Sequence, residues 1–563
     1  MASSRQGYNI RDLGKKSMGA INKSRCRLIV VSLASLVLCL AVWPRPALAI
    51  AGDDKTRTRA ERALRDGEYE TAAKLFHQLL AKDSRDIAAR LGLSFTLLKQ
   101  RNLQDAFDHA ARVIAIDPLS ARAHALLGAA VLASGDFRMS VEEFRTALSI
   151  KDDEALAIAG LAMVDFYENR VNACLSGLRR ATAIDPNEPD YVFSLGQAAA
   201  RSERFKEAAD AYERFLSIAP RTDLDRRARI RGLIDFLRYL GKQGSLYVTG
   251  GANRTLVKFE STDHRPIIAV RINGSKELLH FVLDTGSGMS VISDETARRL
   301  GLHAVARGGE ARAVGGGGRF EIVYGYLSSI EIGGARVENV PVYIRKFYDE
   351  KNRVDGFIGL SVISKFFAAV DYGSQTLALV RQRGSEGLES GTLNFKQDGK
   401  PESESRDSNV IEIPIRTTSS GFLSGEVQID GIDKPQNFII DTGASVSVIS
   451  EKLAALDEVQ SFVQPGRMRV FGAAGISENV KTVTLPRIAL GAHGRDRIDA
   501  AVLDLDAINE TAGFNQNGIL GGNFLHHFRI AFDFQKGLIR LAPLPKATVE
   551  KDSTPTVPEV EAP

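Results

Sequence analysis

Cysteine is nearly missing from this chain. Among 563 residues there are three, and two of them, Cys26 and Cys39, fall in the first fifty positions, leaving Cys174 alone in the remainder. One thiol cannot close an internal disulfide, so the fold must be held by core burial. Charge of one sign is also scarce. Lys+Arg 73 against Asp+Glu 69 leaves a net charge of +4, which gives no footing for nucleic-acid binding. No Gly-x-Ser-x-Gly elbow is present, so a serine nucleophile has no seat. The glycine run Gly315–Gly318 is followed by neither a helix signal nor Lys-Ser/Thr, which argues against a phosphate loop. His526-His527 is expected to point to opposite faces of a strand or helix start and lacks matched ligands. No metal and no cofactor are expected.

What charge there is collects at the start. The first 27 residues hold Arg5, Arg11, Lys15, Lys16, Lys23, Arg25 and Arg27 against Asp12. An uncharged apolar run, Leu28 to Trp43, follows, and then Ala47-Leu48-Ala49. This pattern reads as a signal peptide cut after Ala49, with an uncleaved membrane anchor as the competing reading; residues 1–49 form this segment. Either way the positive N-terminus stays inside and the rest is exported, which for a bacterial chain means a periplasmic location, free or anchored.

From about 57 to 220 the sequence repeats with a period of 34, within a helical-repeat domain expected over 57–241. Tyr69, Leu103, Phe137, Val171 and Phe205 mark equivalent turns. Three residues on come the small side chains Ala72, Ala106, Ser140, Cys174 and Ala208, and units end at Ser84, Pro118, Asp152, Pro186 and Pro220. The pattern resembles tetratricopeptide repeats, which are stacked pairs of antiparallel helices. The resemblance implies a concave helical surface that recruits a protein partner. The amphipathic stretch Asp223–Leu240 reads as the solvating end helix, and Cys174 as a buried packing residue.

Beyond about 245 the period switches to two. Short β-branched runs such as Ile267–Ile272, Phe320–Tyr324, Val340–Ile344 and Leu377–Val380 alternate with Gly, Asn and Asp, which predicts strands. Polar residues 386–408 read as a linker and 546–563 as a disordered tail. The two β regions, 250–385 and 409–545, repeat each other. Phe281-Val-Leu-Asp-Thr-Gly-Ser-Gly-Met-Ser-Val-Ile-Ser293 matches Phe438-Ile-Ile-Asp-Thr-Gly-Ala-Ser-Val-Ser-Val-Ile-Ser450. Later, Asp355-Gly-Phe-Ile-Gly-Leu360 matches Asn517-Gly-Ile-Leu-Gly-Gly522, each followed by a strand ending in Asp.

These paired signatures resemble the retropepsin-like aspartyl proteases, with two lobes in one chain as in pepsin-like enzymes. The expected architecture is multidomain: an all-α repeat solenoid, then an all-β bilobal acid-protease fold. The resemblance implies an aspartic endopeptidase in which Asp284 and Asp441 activate a water without metal or covalent intermediate. Thr285 and Thr442 would cross-link the loops, and Gly286 and Gly443 would let the backbone turn beside the carboxylates. The copies diverge at Ser287 and Ala444. A hydroxyl at 287 favours charge on Asp284, so Asp284 is expected to be the ionised member and Asp441 the protonated one. Ala313–Phe320 and Phe471–Gly475 occupy the places of flaps, with Tyr324 near the first. The substrate would be a peptide or protein. The competing reading is a catalytically silent, peptide-binding scaffold of the cell envelope.

Overall fold

Each of the five repeat marks begins a helix: Tyr69–Lys82, Leu103–Ile116, Phe137–Ile150, Val171–Ile184 and Phe205–Ile218. They alternate with Ala47–Arg65, Ile87–Lys99, Ala121–Ser134, Ala155–Tyr167, Pro189–Arg201 and the end helix Leu224–Leu240. The computed structural model describes residues 47–312, 319–349, 353–381, 410–472 and 475–544. Residues 1–46, the expected linker and tail, and residues 313–318 and 473–474 of the expected flaps lie outside them. Residues from Asp53 to the last described position belong to one compact unit. Among the described residues no helix is long and apolar enough to cross a membrane; the run Leu28–Trp43 is outside them.

Small side chains set the helix spacing. Ala72, Ala106, Ser140, Cys174 and Ala208 are all fully buried. Phe144 fills the seam against Gly128 and Gly160, where an added Cβ would overlap its ring. Burial pushes the Cys174 thiol up to about 12, so it packs as an apolar group.

The inner face of the solenoid is not the open groove that the repeats suggest. Lys99, in the last turn of its helix, pairs with Glu188 and, at 2.6 Å, with Asp190. Arg226 reaches Asp190 at 2.8 Å and Asp223 at 2.5 Å. Thr222 Oγ1 donates to the Gly67 carbonyl at 3.4 Å, so early and late repeats meet. Complementary charges close the curve on itself.

The end helix also departs from its expected role as a solvated cap. Its Ile230, Ile234 and Leu237 pack on the repeats, while Phe236 and Leu240 belong to a second cluster with Tyr324. Phe236 stacks on Tyr324 at 4.2 Å, and Asp225 binds Arg319 at 2.7 and 3.0 Å. Gly232 abuts the backbone of Arg307 and Gly308 so closely that a Cβ there would overlap it. The helix therefore carries two apolar faces, and the second is covered by the hairpin Ala306–Arg312/Arg319–Ile332. Tyr324, expected near the flap, is spent on this contact.

The β regions fold as two matching lobes. Strand Arg265–Ile272 alternates buried and exposed residues as a half-buried strand should. In the first lobe, Gly356–Ile358 inserts between Leu279–Leu283, to which it runs parallel, and Val291–Ser293, to which it runs antiparallel. In the second, Gly518–Leu520 inserts in the same way between Gln436–Ile440 and Ser447–Ser450. A six-stranded antiparallel sheet joins the lobes, with Phe366–Asp371 beside Phe528–Asp533 at its centre (Ala368 opposite Phe532). The turn edge of the solenoid grips the second lobe. Phe514 packs between Phe137 and Tyr167, Asn515 N–H donates to the Ala133 carbonyl at 2.8 Å, and Arg201 donates to the Thr418 carbonyl at 2.7 Å.

The helix-to-hairpin contact is testable. Gly232→Val should lower Tm by several degrees in a calorimetric scan, since overpacking costs about 1–3 kcal/mol. An unchanged Tm would mean that the end helix does not rest on that hairpin.

Candidate active site

Both Asp-Thr-Gly turns sit where a buried apolar strand ends at the lobe interface. Asp284 N–H donates to the Ile358 carbonyl and Asp441 N–H to the Leu520 carbonyl, each at 3.0 Å. The inserted strand of each lobe therefore fixes the start of its own acidic turn.

The threonines then tie one turn to the other. Thr285 Oγ1 donates to the Ile440 carbonyl at 2.8 Å and accepts from Thr442 N–H at 3.1 Å. Thr442 Oγ1 donates to the Leu283 carbonyl at 2.6 Å and accepts from Thr285 N–H at 3.2 Å. Both threonines are fully buried. Four reciprocal bonds with no solvent competition hold the loops about a pseudo-twofold axis.

This grip brings the two carboxyls within hydrogen-bond reach of each other. Asp284 is 7% exposed and Asp441 half-buried. Gly286 faces the Asp441 carboxyl and Gly443 the Asp284 carboxyl, and a side chain on either glycine would overlap the acid opposite. Glycine is required here by close approach, and both are in place.

The environments of the acids differ. Asp284 accepts from Gly286 N–H at 2.9 Å and from the Ser287 hydroxyl at 2.5 Å. Asp441 accepts from Gly443 N–H at 2.7 Å and Ala444 N–H at 3.2 Å. Burial pushes Asp284 above the ordinary carboxylate range, opposed by the Ser287 hydroxyl, Asp441, Gly286 N–H and the Arg345 charge. Burial and then the neighbouring Asp284 charge push Asp441 well above that range. Two acids this close cannot both ionise cheaply. Both acids are pushed towards the protonated form, Asp441 the more strongly.

Residues without a role in the sequence reading complete the support. Ser290 Oγ accepts from Gly359 N–H and Ser447 Oγ from Gly521 N–H, each at 3.0 Å. Leu360 N–H donates to the Ser287 carbonyl at 2.8 Å, and Gly522 N–H to the Ala444 carbonyl at 2.7 Å. These serines open the repeated Ser-Val-Ile-Ser, so the duplication itself carried the signal. Arg345 had no sequence signal, because nothing local places it near Asp284.

His526 and His527 do not point apart. A turn after the helix Gly522–Leu525 brings their rings to 3.9 Å, and His526 stacks on His264 of the other lobe at 4.1 Å.

An aspartyl protease family model matches residues 268–362 and 425–524, and two tetratricopeptide repeat models match 63–130 and 161–221. The chain thus carries an aspartyl protease domain in two segments behind tetratricopeptide repeats. No curated protein matches it. Similar solved structures include a thermophilic TPR protein, TTC0263 of Thermus thermophilus, at 20% identity, with 32% of this chain and 97% of that chain covered and a TM-score of 0.28. Another is a MamA protein at 18% identity, covering 29% and 90%, TM-score 0.21. A Thermobaculum terrenum O-GlcNAc transferase mutant shares 23% identity over 23% of this chain and 26% of that one, TM-score 0.22.

Two outcomes follow from the unequal acids. Ser287→Ala removes a donor that favours charged Asp284, so the acid limb of the pH–rate profile should move to higher pH; an unmoved limb contradicts the assignment. Because the Asp441 value is raised on folding, its stabilising contribution is whole below its unfolded value and is lost as pH rises through the folded one. Asp441→Asn should therefore gain in Tm on the wild type between acidic and neutral buffer, and a constant Tm difference would contradict this.

Proposed function

We propose that this protein is an aspartic endopeptidase, exported from the cytoplasm, in which one proton shared by Asp284 and Asp441 drives peptide-bond hydrolysis. The observation that carries the reading is the threonine-locked pair of acids with unequal surroundings. A carboxylate and a carboxylic acid held side by side supply a base and an acid together.

Asp284 takes a proton from a solvent water as its oxygen adds to the scissile carbonyl carbon. Asp441 gives its proton to the carbonyl oxygen. In the resulting gem-diol the C–N bond breaks as Asp284 passes its proton to the leaving nitrogen. Asp441 recovers a proton from the diol hydroxyl as the new carboxyl forms. Atoms and protons balance, and both acids return to their starting states.

The repeats are the partner-binding part. With the inner face closed by the Lys99 and Arg226 ion pairs, one open surface that suits a protein segment is a cleft of about 860 Å³. Val192, Leu195, Phe205, Asp210, Arg214 and Gln243 are among its lining residues. The basic leader and the apolar run Leu28–Trp43 support export, either as a cleaved signal or as an anchor.

A mixed peptide library incubated with the wild type should be cut, and a statine-type inhibitor should block the reaction. Asp284→Asn and Asp441→Asn should each lower kcat/KM by roughly a thousandfold or more, as loss of a general acid or base does. Peptides bound but left intact at every pH would support a silent scaffold instead.

A further inference from the structure

Equivalent positions of the two lobes differ in charge. In each lobe the strand after the acidic turn pairs in parallel with a later strand, and the registers correspond. Ser293 lies opposite Arg345, and Ser450 lies opposite Leu503. Ser293 and Ser450 are the same position of the repeated Ser-Val-Ile-Ser, so Arg345 and Leu503 are pseudo-twofold counterparts. Leu503 is buried in an apolar cluster with Val448, Val480, Ala501 and Leu505.

Arg345 is placed for a different purpose. Its guanidinium lies 5.0 Å from the ring centre of Phe320, on the hairpin strand that leads from the expected flap. Its Nε is buried without a hydrogen-bond partner. Burial disfavours its charge, and the carboxylate that acts against this is Asp284, with Tyr348 and Tyr343 adding to it. Arg345 is only partly exposed and its buried Nε lacks an acceptor, so a ligand carboxylate at its remaining N–H groups would offset that cost. The planar fork suits a carboxylate, and the guanidinium carbon lies over the Phe320 ring.

We infer that Arg345 is the specificity-determining residue of the cleft, selecting an Asp or Glu side chain on one side of the scissile bond opposite an apolar side chain on the Leu503 side. The inference rests on the endopeptidase reading, and its test separates the two. Peptides differing only as Glu or Gln, at each position flanking the cut, would be compared with the wild type, Arg345→Gln and Arg345→Lys. The wild type should favour Glu at one position by about tenfold or more in kcat/KM, as a charge-assisted pair does. In Arg345→Gln the Glu-to-Gln ratio should fall to about one, whatever common change the altered Asp284 imposes on both peptides, and Arg345→Lys should lie between. A wild type without acidic preference, or a ratio that survives in Arg345→Gln, would overturn the inference. An equal loss on both peptides with a displaced acid limb would confine Arg345 to the acids and overturn it as well. Anisotropy of labelled Glu and Gln peptides on Asp441→Asn, with and without Arg345→Gln, reads the same selectivity without turnover. Selective binding that depends on Arg345 while the wild type cuts nothing would leave this inference standing and remove the endopeptidase reading. Unselective binding would overturn it.

Discussion

The reciprocal bonds of Thr285 and Thr442 are the constraint on which the rest depends. Each hydroxyl spans from its own turn to the strand of the other lobe, where no water competes for it. Loss of either leaves buried donors and acceptors unpaired, at about 1–3 kcal/mol for each group. The glycines beside the acids make the approach sterically possible, and the six-stranded sheet between lobes holds the frame. The upward push on both acids follows from the burial and close approach these elements impose.

Joining the lobes in one chain lets equivalent positions diverge, and they have. Ser287 donates to Asp284 where Ala444 stands beside Asp441, and that extra donor favours charge on Asp284. Arg345 stands in the first lobe at the register position that Leu503 holds in the second. The first hairpin is clamped by the end helix through Gly232, Phe236 and Asp225, and Arg312 on it pairs with Glu510 of the second lobe at 2.9 Å. The second hairpin instead exposes Phe471 and Ile476. A homodimer of single lobes could hold none of these differences in its sequence.

Much of this was legible because duplication writes a structural requirement twice. The 34-residue period marked every second helix start from Tyr69 to Phe205, since each seam needs a small residue at the same place. The acidic turns stood out because their glycines and threonines have no substitute at that approach. Three features were not legible. The ion pairs closing the solenoid join Lys99 to residues about ninety positions away, and charge gives no periodic signal. The second apolar face of Leu224–Leu240 was masked by its arginines. Arg345 reaches Asp284 only through strand register, which no local pattern encodes.

The central claim is that Asp284 and Asp441 hold one proton between them, mainly on Asp441. Carboxyl carbon NMR of selectively labelled Asp284 and Asp441, followed through a pH titration of the full chain, reads this directly. The account predicts two separated steps, the upper one reported chiefly by Asp441. Both carboxyls titrating together in the ordinary range of an isolated aspartate would contradict it.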